Sequence, residues 1–172
     1  MKRRIEAAAA VLAGVIALGC EQPPPSAPTL TGPLFEAATT TDITTTTTLT
    51  ITDAGKQWVS GGGIAHTRDQ TQSGTVSGDL TGTTTVMGRS DVAVATMDGT
   101  ASGEFTITVT APRVGTFEGR FAGTFTGGVF SGETVGKGTG AFAGQILRGT
   151  ISQTAPNRIY FLTGTLLDPG GN

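Results

Sequence analysis

Between Gly115 and Gly128 the chain reads Gly-Thr-Phe-Glu-Gly-Arg-Phe-Ala-Gly-Thr-Phe-Thr-Gly-Gly. Gly115, Phe117, Gly119, Phe121, Gly123, Phe125 and Gly127 share one parity, and Thr116, Glu118, Arg120, Ala122, Thr124 and Thr126 the other. Successive side chains of a strand point to opposite faces, so this is a period-two pattern and excludes an amphipathic helix here. Its apolar face alternates a ring with no side chain at all. Such a face suits a strongly curved sheet, in which glycine permits sharp bending and leaves room for a ring from the next strand.

The Gly127-Gly128 pair predicts a two-residue hairpin turn with positive φ at both positions. That turn places Phe125 opposite Phe130, Gly123 opposite Gly132 and Phe121 opposite Thr134. On the polar face it sets Ala122 opposite Glu133, with Arg120 diagonal to Glu133 as a weak cross-strand charge pair. Glycine (27 residues) and threonine are abundant, whereas helix formers are sparse after the first 40 residues. An all-β domain follows.

The N-terminus has a different character. Met1-Lys2-Arg3-Arg4 precedes an apolar run from Ala7 to Gly19, which stops at the single cysteine, Cys20. A membrane-spanning helix needs about 20 apolar residues, so this shorter run fits the h-region of a secretory signal. Ala17-Leu18-Gly19-Cys20 resembles the lipobox of bacterial lipoproteins, with Ala17 where leucine is commonest. The resemblance implies a lipidated Cys20 as the mature N-terminus, anchored at the cell envelope on the extracytoplasmic side (the outer membrane, in a two-membrane source). An ordinary signal peptide with an incidental cysteine is the alternative. One cysteine excludes an intrachain disulfide. The prolines that follow, Pro23, Pro24, Pro25, Pro28 and Pro33, favour an extended spacer. The expected organisation is a signal peptide over 1–19, a tether over 20–40, a β domain over 41–168 and a tail over 169–172.

The net charge is −2 for the whole chain, and removing Lys2, Arg3, Arg4 and Glu6 leaves −4. No basic patch remains, so nucleic acid is not an expected partner. Strands are expected at Thr41 to Thr52, Gln57 to Arg68 (bulged at Gly61-Gly62-Gly63), Gly74 to Met87 and Asp91 to Met97. Others follow at Ala101 to Ala111, the central hairpin, Gly140 to Gln153 and Arg158 to Leu167, with a turn at Gly136-Lys137-Gly138. About eight strands with short connections favour a closed antiparallel barrel over a β-sandwich, because closure removes exposed edges. A barrel of that size either fills its interior or holds one small ligand.

Gly78-Asp79-Leu80-Thr81-Gly82, the Gly-x-Phe-x-Gly repeats of Gly115 to Gly123, and Gly138-Thr139-Gly140-Ala141-Phe142-Ala143-Gly144 followed by Leu147-Arg148-Gly149-Thr150 carry a resemblance. This half of the mature chain resembles bacterial allene-oxide-cyclase-like barrels. The resemblance implies a closed antiparallel barrel with an interior cavity, and it places no catalytic residue on this sequence.

Chemistry-bearing patterns are few. Gly138-x-Gly140-x-x-Ala143 has dinucleotide-fingerprint spacing but no helix to follow it, so no cofactor is expected. His66 has no second histidine, and no cysteine once Cys20 is acylated, so no metal site is expected; it reads as a surface or loop residue. Glu104, Glu118 and Glu133 fall on outer faces, which argues against paired carboxylates inside. Candidate cavity residues for a small hydrophobic ligand are Trp58, Tyr160, Phe117, Phe121 and Phe125. Arg148 joins them because it shares the parity of Phe142 and Ile146. No residue is expected to be catalytic. These features favour a lipid-anchored binding or structural module over a cyclase- or isomerase-like enzyme and over a Thr/Gly-rich adhesion protein. They leave the oligomeric state open.

Overall fold

The computed structural model describes residues 37–170; the signal peptide, Cys20 and nearly all of the expected tether lie outside them. Nine strands follow one another: β1 (Thr39–Asp53), β2 (Lys56–Val59), β3 (Ile64–Gly78), β4 (Thr81–Ala93) and β5 (Gly99–Ala111), then β6 (Gly115–Thr126), β7 (Val129–Gly140), β8 (Ile146–Ser152) and β9 (Ile159–Asp168). No helix occurs among the described residues. Each of β3 to β8 pairs antiparallel with the next strand, and β1 pairs with both β9 and β3. Eight strands therefore close into a barrel, which abolishes their free edges. The extra strand, β2, runs along the first part of β3.

The central hairpin has the register its sequence predicts. Phe125 pairs with Phe130, Gly123 with Gly132 and Phe121 with Thr134. Gly127 and Gly128 take φ of +56° and +84°, conformations that L side chains rarely adopt. Arg120, however, forms its ion pair with Glu104 of β5 at 3.3 Å rather than with Glu133. Directly opposed residues are closer than diagonal ones, and Glu104 is the residue facing Arg120 on the β5 side.

Four boundaries differ from expectation. Asp91 to Met97 is not a separate strand, because β4 runs on to Ala93 and the chain turns over 94–96. Gly61 to Gly63 do not bulge a continuous strand; they turn the chain between β2 and β3, where the Gly63 N–H donates to the Ser60 carbonyl at 3.0 Å. Gly74 to Met87 is not one strand either, because the chain reverses at Asp79-Leu80. There the Asp79 carboxylate accepts from the Thr44 N–H at 2.7 Å. An aspartate offering its own acceptor to the backbone competes with strand pairing. Finally, β7 runs through the expected turn at Gly136-Lys137-Gly138, and the chain reverses over 141–145.

That last turn makes the two ends of the barrel unlike. Phe142, in the turn, folds over the barrel end and is buried, with its ring centroid 4.8 Å from that of Phe117. Arg113 lies 4.5 Å over the Phe142 ring, a cation–π contact of about 0.5–2 kcal/mol. Beneath them Leu80, Val109, Leu147 and Val76 are almost entirely excluded from solvent. This is the filled end, where β1 begins and β9 finishes: Thr39 pairs with Asp168. At the other end lie the turns around Gly62, Thr96, Gly127 and Pro156, and packing there is incomplete.

Candidate functional site

Toward that second end the barrel contains a partly open cavity of about 140 Å³. One wall is aromatic. Phe121 and Phe125 of β6, Phe130 of β7 and Tyr160 of β9 project inward from their strands, and Phe105 closes the floor. Phe130 is the hub. Its centroid lies 6.1 Å from Phe121 at 82°, 5.3 Å from Phe125 at 59° and 6.3 Å from Tyr160 at 71°. These tilted and edge-to-face pairs match the attraction between ring edges and ring faces. The Phe130 N–H donates to Gln153 Oε1 at 2.9 Å, and Gln153 Nε2 donates to the Asn157 carbonyl at 2.6 Å. That link ties the β8–β9 turn, which precedes Tyr160, to the aromatic wall.

The facing wall carries polar groups. In a ring of eight strands β3 stands opposite β7, and β3 turns Gln70 and Gln72 inward into the cavity lining. Gln72 Nε2 donates to Gln70 Oε1 at 2.8 Å. Gln72 Oε1 is buried and accepts no hydrogen bond. The inward parity of β3 is anchored by Val76 and by Leu49 opposite Gly74. Counting back in twos from Val76 reaches Gly74, Gln72 and Gln70, so their inward direction was present in the sequence as an alternation interrupted by amides. Phe130 was likewise implied by the Gly127-Gly128 register.

Of the six residues expected at a cavity, Phe121, Phe125 and Tyr160 line it. Phe117 faces inward but belongs to the solid filled end. Arg148 is exposed and points outward between Val135 and Thr165; its neighbour Leu147 is the buried one. Parity does not carry across the 141–145 turn, because Phe142 is buried as a plug and not as a strand residue. Trp58 is 47 % exposed on β2 and does not reach the cavity.

Trp58 instead stacks on His66, with centroids 4.9 Å apart and planes 21° apart, and Arg68 sits 5.4 Å from its ring. His66 is thus a strand residue, paired with Trp58 and Asp91, not a loop residue. His66 Nδ1 donates to Asp91 Oδ1 at 2.5 Å, and Arg68 donates to the same oxygen at 2.7 Å. The hydrogen bond from His66, and then that from Arg68, hold the Asp91 carboxyl below its ordinary range. A lowered pKa stabilises the fold above the unfolded value of about 3.9, and this contribution is lost as the pH falls through the folded value. Asp91→Asn should therefore unfold more readily than the wild type at neutral pH. Denaturant midpoints of the two proteins should converge on acidification; a constant gap down to the acid limit would contradict the assignment.

Tyr160, the single tyrosine, has its pKa raised by burial, with Arg158 opposing weakly. Its tyrosinate absorbance should rise only above the ordinary value of about 10. The sign is opposite to that of Asp91: stability is fully present below pH 10 or so and falls as the pH climbs through the folded value. An uncharged ligand filling the cavity should move this titration further up. An ordinary titration would show the hydroxyl to be bathed in water.

The titratable side chains among the cavity-lining residues are Tyr160 and Arg89, and Arg89 is exposed with its Nε donating to Ser102 Oγ at 3.1 Å. Elsewhere, Gly138 and Gly140 belong to β7 and Ala143 to the turn after it, so the dinucleotide-like spacing leads into no helix.

The chain is similar in structure to a protein of unknown function from the DUF3224 family of Shewanella oneidensis MR-1. The TM-score is 0.61 at 17 % sequence identity, covering 74 % of this chain and 96 % of that one. The likeness is one of fold alone. No family model matches the sequence, and no curated protein does. The closed antiparallel barrel expected from the sequence is present.

Proposed function

We propose that this protein is a lipid-anchored extracytoplasmic binding module whose barrel holds one small hydrophobic ligand without transforming it. The observation that carries the reading is the contrast within one barrel. One half is packed solid, and the other is left hollow behind a wall of rings. Protein interiors are normally filled to the density of organic crystals, so a cavity of about 140 Å³ in so small a domain calls for an occupant. Its size is close to that of an apolar protein cavity, about 150 Å³, that takes up benzene. The scarcity of titratable groups in the lining favours binding over a cyclase-like reaction. The anchor rests on the lipobox-like Ala17-Leu18-Gly19-Cys20 and the proline-rich spacer after it.

Native mass spectrometry of the mature protein purified from its source tests the binding role. A retained small molecule is the expected result; an empty protein that also takes up no small apolar probe would overturn the reading. Cys20→Ala should release the protein from membranes, and persistent membrane attachment would contradict the anchor.

A further inference from the structure

The cavity lining is apolar for the most part, and Gln70 and Gln72 set polar groups among Leu49 and Val86 opposite the aromatic wall. From this we infer that its occupant is a single aromatic ring bearing one hydrogen-bond donor, of the phenol class, with the ring against Phe121, Phe125, Phe130 and Tyr160 and the donor directed at Gln72. The inference rests on the reading of the cavity as a ligand site and adds the chemistry of what fills it.

The volume sets the size. About 140 Å³ accommodates one six-membered ring with a small substituent. The rings set the shape. Phe130 already meets Phe121 edge-on at 82° and Tyr160 at 71°, and a planar occupant extends this array through edge-to-face contacts that an aliphatic of equal volume lacks.

The amides set the polarity. Gln70 Oε1 is engaged by Gln72 Nε2, so the acceptor left over in the pair is Gln72 Oε1. It is sealed from solvent with no partner. A buried acceptor left unpaired is costly, and that cost is recovered when a donor arrives. Gln72 lines the cavity and the terminal torsion of a glutamine is broad, so rotation of the amide, which releases the Gln70 hydrogen bond, brings the oxygen to the ligand. A pocket with a waiting acceptor discriminates strongly against an analogue lacking the donor.

The test compares phenol, anisole and toluene by titration calorimetry on the purified protein. Phenol offers a donor, the oxygen of anisole only accepts, and toluene has neither. Phenol should bind about tenfold more tightly than either. Gln72→Met should reduce that preference to near unity while leaving toluene affinity within about twofold. Equal binding of phenol and toluene to the wild type would overturn this inference and leave the apolar ligand site standing. Binding of none of the three would overturn both. The wild-type comparison is decisive by itself if Gln72→Met fails to fold.

Discussion

Phe117→Ala should remove about 3–5 kcal/mol of folding stability, whereas Phe125→Ala should remove no more than about 1–2. Both rings come from the same Gly-x-Phe-x-Gly repeat of β6 and both face inward. Phe117 is fully excluded from solvent and packs on Phe142, which is itself 1 % exposed. Truncating it leaves a void between residues already held by Leu80 and Val109, so the loss combines the transfer term with a cavity that the surroundings cannot collapse into. Phe125 already borders empty space, and its truncation extends a cavity instead of creating one. Set against a typical total of about 5–15 kcal/mol, the first change takes a large share of the whole. Chemical denaturation followed by far-ultraviolet circular dichroism measures both. Equal losses would mean that the two ends of the barrel are packed alike, with no hollow half to receive a ligand.

Gly119→Ala should cost at least about 3 kcal/mol or abolish folding, while Gly62→Ala should change stability by less than about 0.5. A Cβ at Gly119 would lie 2.0 Å from the Val135 carbonyl oxygen, 2.6 Å from the Gly136 Cα and 2.8 Å from the Phe105 ring. Two of these three are backbone atoms of β7, so no side-chain rotation relieves the clash; the strand itself must move. Since Gly119 pairs directly with Gly136, the two glycines let the strands coil closely under the Phe105 ring. At Gly62 a Cβ would meet nothing within 4 Å. Thermal melting of the two variants gives the comparison. A folded Gly119→Ala protein of wild-type stability would show that the ring-and-glycine face tolerates a methyl group, and that the barrel curves without needing a bare backbone there.

The aromatic wall of the cavity was in large part legible in advance. Period-two spacing put Phe121 and Phe125 on one face, and the Gly127-Gly128 turn brought Phe130 beside them. Tyr160 stood out by being unique. The polar groups opposite it are harder to see in a sequence, because glutamines at inward positions look like outward ones until a neighbour such as Val76 fixes the parity. Trp58 departs from expectation for a related reason. The glycines after it end β2 and start a new strand, so Trp58 belongs to the strand outside the closed ring.

By itself the sequence determined the period, the curvature and the class: rings and glycines alternating on one face of a sheet cannot be helical, and short connections force neighbours to run antiparallel. It also carried the N-terminal signature around Cys20. Which end of the barrel is solid was decided only in three dimensions. Phe117 and Phe125 sit in similar local contexts, and what separates them is the position of Phe142, a turn residue that reaches over one end and not the other. Alternation along a strand records which side of the sheet a residue faces; whether anything waits there depends on side chains brought in from distant turns.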